Sequence, residues 1–336
     1  MSTYIINLTE KCNLNCKHCY ALHNGRTISK EVLDKSIDHI INHIKISKSA
    51  GENISLMGRE VGLINPSIIN YALDRFENEI SVPYRTELYT NLVYDLSEEQ
   101  ILTYKRIDCF GTSWDYGIRF QNIQQRLLWF NNVKKLLSLG FTDMACIVSV
   151  TKDLIENVSP QMMIDFMISM NIKNWELQKL CRPTEKRIDY DNKNIKATNR
   201  EVDDWLFNVY LIYKNIQKNN YNISIEAFDC IENSIKGEYH YDHCRNCQQT
   251  HLTYLPNGDV AQCPYNQHRP FYNLITNKLD YKIYDDNVKF EQTVNQNCLN
   301  CPYYQYCRGD CCMNEWDETG CATPKKIYEY ILNKKE

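Results

Sequence analysis

Three cysteines near the start of the chain, Cys12, Cys16 and Cys19, constrain this protein more than any other feature. They follow the apolar run 4–8, which predicts a strand, so they are expected in the loop that leaves it. A structural zinc site uses four protein ligands, whereas a metal or cluster that takes part in chemistry keeps one coordination position for another molecule. The three thiols therefore predict a metal site with one open position.

The overall composition narrows the possible functions. The 336 residues are enough for one large domain, or for a large and a small one. The net charge of −4 comes from interspersed acidic and basic residues without a basic block, which argues against a nucleic-acid partner. The sequence shows no signal peptide and no apolar run long enough to span a bilayer, so we expect a cytoplasmic protein without membrane contact. That compartment keeps thiols reduced, so the sixteen cysteines indicate metal binding rather than disulfides.

The first 220 residues alternate between strand and helix patterns. Residues 29–45 present one apolar helical face, and Ser97 with Gln100 and Thr198 with Glu201 have the spacing of capping boxes. The predicted strands are 4–8, 53–57, 85–90, 109–114, 145–150 and 174–180. Six such units predict an α/β fold with a parallel sheet, wound as a partial (β/α)6 barrel of the TIM type that is too small to close. Chemistry in such folds lies at the C-terminal ends of the strands, where the Cys12 loop is expected.

A second group of cysteines lies in the last third of the chain. Its members are Cys244, Cys247, Cys263, Cys298, Cys301, Cys307, Cys311 and Cys321. Between the first three, the segment 251–262 has the pattern of a hairpin around the turn Asn257-Gly258. Taken alone, the C-x2-C pairs are also typical of two zinc sites with four thiolates each.

The two cysteine groups together resemble the radical S-adenosylmethionine (radical SAM) superfamily with a C-terminal SPASM domain. The first spacing, C-x3-C-x2-C, encloses the apolar Leu14, and the rings of His18 and Tyr20 flank its last cysteine. The resemblance implies that Cys12, Cys16 and Cys19 hold a 4Fe-4S cluster whose fourth iron binds SAM. It also implies a radical SAM barrel over 1–220, a connecting segment over 221–243, a SPASM domain over 244–321 and a C-terminal helix over 322–336.

The same resemblance implies two auxiliary 4Fe-4S clusters, and therefore three clusters in all. The first auxiliary cluster would be held by Cys244, Cys247, Cys263 and Cys311, and the second by Cys298, Cys301, Cys307 and Cys321. Eight ligands would leave no open iron in these clusters, which would then carry electrons or anchor the fold. Of the other cysteines, Cys181 follows the sixth strand and is interpreted as structural, while Cys312 is a possible substitute ligand.

The resemblance also predicts which residues contact SAM. The family usually carries Gly-Gly-Glu-Pro after the second strand; here Gly58 and Glu60 match, whereas Arg59 and Val61 depart. We expect Arg59 either to point away from SAM or to form an ion pair of its own. The full predicted SAM-binding set is His18, Tyr20, Gly58, Glu60, Ser113, Arg119 for the carboxylate, Ser149 for the ribose and Leu180 for the adenine. A serine at a strand end is also common as a turn or cap residue.

The implied reaction begins with one electron from the reduced cluster, which cleaves SAM to a 5′-deoxyadenosyl radical that takes a hydrogen atom from the substrate. SAM is then a consumed cosubstrate, and a ferredoxin or flavodoxin would supply electrons. The leading interpretation is a peptide maturase that forms a crosslink or inverts a stereocentre. The alternatives are a dehydrogenase or epimerase for an aminosugar or amino acid, and a non-enzymatic metal-dependent scaffold.

Two positions bear on the peptide hypothesis. Cys12 lies so close to the N-terminus that no leader-binding domain is expected before it, so the barrel rim, the auxiliary domain or a separate recognition protein would bind a peptide. Pro264 follows Cys263 at the place where sulfatase-maturing relatives carry a catalytic aspartate. This departure argues against sulfatase maturation.

Overall fold

The computed structural model describes residues 2–21, 24–47, 51–181, 195–219, 221–238 and 246–334. The strands of this part are β1 (Ser2–Asn7), β2 (Glu52–Met57), β3 (Tyr84–Tyr89), β4 (Cys109–Ser113), β5 (Ala145–Val150), β6 (Asn174–Lys179), β7 (Ser224–Ile225), β8 (His251–Tyr254), β9 (Asp259–Ala261), β10 (Tyr272–Asn273) and β11 (Lys278–Leu279). The α-helices are α1 (Lys30–Ser47), α2 (Pro66–Glu79), α3 (Glu98–Tyr104), α4 (Ile123–Ser138), α5 (Lys152–Asn157), α6 (Pro160–Met170), α7 (Asn199–Lys218), α8 (Glu226–Lys236), α9 (Cys247–Thr250), α10 (Tyr281–Gln292), α11 (Gln296–Leu299), α12 (Tyr304–Cys307) and α13 (Lys325–Asn333). None of the described helices is long and apolar enough to cross a membrane.

All six strands predicted from the sequence are confirmed, and they pair in parallel in chain order from β1 to β6. The described residues form one sheet with the order β11-β10-β9-β8-β1-β2-β3-β4-β5-β6-β7. This order runs from one edge to the other, so the parallel part is an open barrel. The predicted α/β class with a partial barrel follows from this topology.

The helices between the strands begin where the sequence predicts. Ser97 and Thr198 both form complete capping boxes, at the starts of α3 and α7. Each side chain accepts a hydrogen bond from a first-turn N–H that has no partner within the helix. The predicted apolar face of α1 is buried against the outer face of the sheet.

The cysteine-rich region joins the barrel through a strand pairing. The predicted hairpin is confirmed as β8 and β9, which pair antiparallel. Strand β8 also pairs in parallel with β1, from Thr3 opposite His251 to Ile6 opposite Tyr254. Tyr254 is fully buried, and its hydroxyl group lies 2.9 Å from Nδ1 of His39 on α1. The pairing places the start of the second cysteine group directly beside the first strand of the barrel.

The segment 221–243, predicted as a connecting segment, contains a strand and a helix where it is described. Strand β7 pairs in parallel with β6, so it extends the barrel sheet by one strand. Helix α8 follows at once, ends at Gly237 with a positive φ of 82°, and buries Phe228 and Ile231. At the other end of the chain, α13 lies within the predicted C-terminal helix. The domain boundaries themselves stay predictions.

Candidate cluster and cofactor site

The loop after β1 carries Cys12, Cys16 and Cys19 at the C-terminal edge of the parallel sheet. Leu14 is buried in the core, so it anchors the middle of the cysteine loop against the barrel. The Leu14 N–H points at Sγ of Cys12 at 3.3 Å, and the Cys19 N–H donates to the carbonyl oxygen of Cys16 at 3.2 Å. The apolar residue inside the motif therefore fixes a turn that leaves the three thiols half-buried at the strand ends.

Polar groups from neighbouring strands surround these thiols. Nδ2 of Asn91, after β3, lies 3.8 Å from Sγ of Cys12. Nη2 of Arg59, after β2, lies 3.6 Å from Sγ of Cys19. Burial raises the pKa of Cys12 and that of Cys16, the latter to about 11, while a nearby guanidinium opposes the shift in each case. Hydrogen-bond donors around ligand sulfurs are a recurring feature of iron–sulfur sites.

Arg59 lies beside the cysteine loop. Its guanidinium faces Cys19, and it forms no ion pair within the described residues, so its orientation relative to SAM stays a prediction. The backbone before it is closely packed, because a Cβ at Gly58 would lie 3.0 Å from the carbonyl oxygen of Thr9. The Arg59 N–H donates to that same oxygen at 2.8 Å. This close packing holds the end of β2 against the start of the cysteine loop.

A buried carboxylate, Asp115, organises the other side of the loop. It accepts hydrogen bonds from Nε of Arg119 at 2.6 Å and from the Ser149 N–H at 2.7 Å. Nε2 of His18 lies 3.5 Å from the same carboxylate. Burial alone would raise the pKa of Asp115, but Arg119, His18 and the Ser149 N–H together lower it to about 2. Three residues of the predicted SAM-binding set are thus held by one aspartate.

Arg119 keeps part of its guanidinium available. Its Nε is engaged by Asp115, and its carbonyl oxygen lies 3.9 Å from Sγ of Cys16. Within the described part of the chain, the two terminal nitrogens of Arg119 form no hydrogen bond. A guanidinium fork fixed at one nitrogen suits a carboxylate, so Arg119 as the partner of the SAM carboxylate stays a sound prediction.

Glu60 is placed differently, because its carboxylate is occupied by the protein. It accepts hydrogen bonds from the Gly62 N–H at 2.8 Å, the Asn91 N–H at 2.7 Å and the hydroxyl group of Thr90. Burial raises the pKa of Glu60 to about 7 against these three donors. The Glu60 side chain therefore connects the end of β2 to the end of β3.

The remaining predicted SAM contacts lie at the same edge of the sheet. Ser113 ends β4 and is half-buried. Leu180 follows β6 and packs, together with Tyr20, against the buried Ile118. The Tyr20 ring also lies against the ring of Tyr265, with 4.4 Å between centroids. Tyr265 is two residues after Cys263, so this contact connects the first cysteine loop to the second cysteine group.

Four of the predicted auxiliary ligands meet at one place. Cys298, Cys301, Cys307 and Cys321 all line a single cavity of about 390 Å³, a volume that includes space open to solvent. The Gly309 N–H lies 3.5 Å from Sγ of Cys307. The structure therefore brings together the four side chains that the resemblance assigns to the second auxiliary cluster.

The other predicted auxiliary site is described only in part, because Cys244 lies outside the described residues. Cys247 begins α9, and Cys263 and Cys311 are close enough that Cys311 contributes to the raised pKa of Cys263, after burial. No group of three or more described His, Cys, Asp or Glu side chains is arranged to hold a single metal ion. That the second cysteine group holds 4Fe-4S clusters rather than zinc therefore stays a prediction.

Cys181 is a residue whose position the sequence did not reveal. Its thiol lies 3.2 Å from Oδ1 of Asn314. The neighbouring thiol of Cys311 raises the pKa of Cys181, while Cys181 and Cys312 lower the pKa of Cys311. The only sequence signal was that Cys181 directly follows a barrel strand.

The inner face of the barrel below this edge is polar. Glu87 on β3 accepts a hydrogen bond from the hydroxyl group of Ser55 at 2.5 Å. Glu176 on β6 is half-buried, and burial followed by the nearby carboxylate of Glu226 raises its pKa to about 7. The ring of Tyr89 lies across Gly111, where a Cβ would be 2.3 Å from the ring. This interior offers acidic and aromatic groups to a substrate.

Comparison with solved structures shows that two proteins solved with peptides share this fold. The structure of anSMEcpe with bound AdoMet and Cp18Cys peptide superposes with a TM-score of 0.80 at 16% identity, over 99% of this chain and 97% of that one. SuiB from Streptococcus suis bound to precursor peptide SuiA gives a TM-score of 0.60 at 16% identity, over 92% of this chain and 71% of that one. The predicted fold class, and the resemblance behind it, are confirmed at the level of the fold.

Comparison of the sequence with known proteins gives one partial match. No family model matches the chain. An uncharacterised protein of Methanocaldococcus jannaschii is 28% identical over 108 residues, which is 30% of this chain and 35% of that protein. The match spans about a third of the length of that curated relative.

Proposed function

We propose that this protein is a radical SAM enzyme that modifies a peptide. The observation that carries the proposal is the Cys12 loop. It holds three half-buried thiols at the C-terminal edge of an open parallel barrel, with N–H donors of Leu14, Arg59 and Asn91 directed at the sulfurs of Cys12 and Cys19. The same edge of the barrel fold is where catalytic groups collect in related architectures.

The residues at this edge fit a 4Fe-4S cluster and SAM. Cys12, Cys16 and Cys19 would ligate three irons, and the buried Nε of Arg59, which has no hydrogen-bond partner, is a donor for an anionic group. When bound, the cluster and SAM supply a 5′-deoxyadenosyl radical that abstracts a hydrogen atom. Arg119, positioned by Asp115, would bind the carboxylate of SAM.

The barrel interior would hold the substrate below SAM. Glu87, Glu176 and Tyr89 face this space and are each only half-buried. The protein has to keep the reacting C–H bond near the SAM ribose and exclude water from the radical. A peptide is favoured as the substrate because anSMEcpe and SuiB, which share the fold, both bind peptides in their solved structures. Pro264, in place of an aspartate, favours a reaction other than sulfatase maturation.

The eight distal cysteines are proposed to hold two auxiliary 4Fe-4S clusters that accept the electron left on the substrate. Cys298, Cys301, Cys307 and Cys321 already line one cavity. The enzyme would work in a reducing compartment such as the cytoplasm, with a ferredoxin or flavodoxin as reductant and, for a peptide substrate, with a recognition protein where its own rim does not suffice.

Anaerobic reconstitution with iron, sulfide, SAM and dithionite tests the proposal. We expect 5′-deoxyadenosine from the wild-type protein and none from Cys16→Ala. Cys230→Ala, on α8 and outside both predicted ligand groups, is the matched control and should retain activity. If the wild-type protein carries its clusters but yields no 5′-deoxyadenosine, the proposed enzyme activity is refuted.

The substrate class needs a second experiment. Short peptides encoded next to the gene are co-expressed with the enzyme and analysed by mass spectrometry and by chiral amino-acid analysis. A mass change or an inverted residue that requires Cys16 supports a peptide maturase. Turnover of an aminosugar or a free amino acid, without any peptide change, would favour the small-molecule alternative.

A further inference from the structure

Arg59 stands where the family that the sequence resembles usually carries glycine, and its surroundings indicate a role for it. The half-buried side chain leaves the end of β2 toward the cysteine loop. The backbone from which it leaves is packed against Thr9, to which the Arg59 N–H donates. The guanidinium itself contacts Sγ of Cys19, and within the described residues no salt bridge holds it.

Within the described residues, the guanidinium of Arg59 has no carboxylate partner. Nη2 lies 3.6 Å from Sγ of Cys19, while Nε is buried and has no hydrogen-bond partner. Within the described residues Arg59 forms no ion pair, and the nearest carboxylate along the chain, Glu60, is occupied by Gly62, Thr90 and Asn91. A buried N–H donor without an acceptor, such as Nε of Arg59, is costly, so an anionic group is expected to complete this site.

We propose that Arg59 is a positioning residue that makes the cluster on Cys12, Cys16 and Cys19 easier to reduce. This inference rests on the proposed function, because it requires that cluster. Reduction adds one negative charge to a centre that already carries three thiolates, and a guanidinium beside Cys19 stabilises the added charge. Hydrogen bonds to ligand sulfur shift cluster potentials in the same direction.

The glycine of related sequences cannot act in this way, since it has neither charge nor donors. Arg59 would therefore set this protein apart: its cluster accepts an electron from a weaker reductant, and the energy available for cleaving SAM is correspondingly smaller. The competing role is a direct contact with the SAM carboxylate, which Arg119 is also placed to make. The two roles differ in whether SAM has to be present.

The test is a potentiometric titration followed by electron paramagnetic resonance, without SAM. The proteins are wild type, Arg59→Gly, Arg59→Lys and the control Arg75→Lys, whose side chain binds Asp38 and Glu79 on the surface. A Cys12→Ala/Cys16→Ala/Cys19→Ala protein supplies the signal of the auxiliary clusters for subtraction. Iron content is measured for every variant.

At the wild-type midpoint we expect the ratio of reduced to oxidised cluster to fall about tenfold in Arg59→Gly, which is a shift of about 59 mV for one electron. Arg59→Lys should shift the potential less than Arg59→Gly, because lysine keeps the positive charge although it lacks the planar guanidinium group. Arg75→Lys should not shift the potential. An unchanged potential in Arg59→Gly would overturn the proposal, and weaker binding of SAM by this variant in a separate equilibrium titration would then assign Arg59 to SAM. Loss of iron in both Arg59 variants would also overturn it, by showing that Arg59 only holds the loop.

A failure of the proposed function can be distinguished from a failure of the inference about Arg59. A wild-type cluster that titrates normally, yet gives no 5′-deoxyadenosine with SAM, would refute the enzyme and leave the role of Arg59 in the cluster potential intact.

Discussion

The pair formed by Asp115 and Arg119 allows a prediction with a defined size. The Asp115 side chain is fully buried and that of Arg119 is 13% exposed, with 2.6 Å between the bonded atoms. Replacing Asp115 by Asn removes the charge but keeps an amide oxygen that can accept the Ser149 N–H. Arg119 is then left as a buried charge without a partner. Breaking a buried pair in this way typically costs about 3–5 kcal/mol.

Two further variants separate the contribution of the Ser149 hydrogen bond from that of the Asp115–Arg119 ion pair. Asp115→Ala also removes the acceptor of the Ser149 N–H, so it should cost about 1–3 kcal/mol more than Asp115→Asn. The double variant Asp115→Asn/Arg119→Met removes both charges, so it should be more stable than the sum of the single losses, by about 1–3 kcal/mol.

The assay is urea unfolding of the reconstituted proteins under anaerobic conditions, followed by circular dichroism. None of these residues is a predicted cluster ligand, so iron content should be equal in all variants and serves as the control. A loss below about 1 kcal/mol in Asp115→Asn, together with additive effects in the double variant, would show that the carboxylate is not the organising charge of this site.

Three other predictions follow from separate contacts. Gly111→Ala places a methyl group in the ring of Tyr89 and should lower the free energy of unfolding by about 1–3 kcal/mol in the same urea assay, and an unchanged value would contradict the close contact. Cys321→Ser should lose about four iron atoms per chain by colorimetric assay, since it removes one of four thiols at a shared cavity; full iron content would exclude it as an essential ligand. Burial and Glu226 raise the pKa of Glu176 to about 7, so ionisation of Glu176 destabilises the folded state, and the contribution of its neutral form is lost as the pH rises from about 4.5 through 7. Glu176→Gln should therefore gain stability relative to wild type between pH 5 and pH 8 in urea titrations, and a pH-independent difference would argue against this shift.

Local patterns predicted the barrel well. Apolar runs located β1 to β6 to within about two residues, and the capping boxes at Ser97 and Thr198 formed as expected. These signals are short-range, since a strand or a cap is determined by residues a few positions apart. The cysteine spacings were equally local, and they correctly led to the fold.

Contacts between distant segments were not predictable in this way. The sequence showed a hairpin at β8 and β9 but not its pairing with β1, because pairing depends on which edge is free in space. The approach of Arg59 to Cys19 and the backbone packing at Gly58 are encoded by no residue pattern. The same holds for the contact between Tyr20 and Tyr265, which lie in the two separate cysteine groups.

The pairing of β1 with β8 has a consequence for synthesis of the chain. Strand β1 can pair with β2 early, but its other edge needs residues 251–254, which leave the ribosome about 200 residues later. Until then an apolar strand edge, next to the loop with the three thiols, stays open to other chains, a situation that promotes aggregation. A protein shortened before residue 251 would keep that edge open permanently. The chain is therefore most prone to aggregation during the interval before β8 appears, and slow translation of the middle of the chain would lengthen that interval.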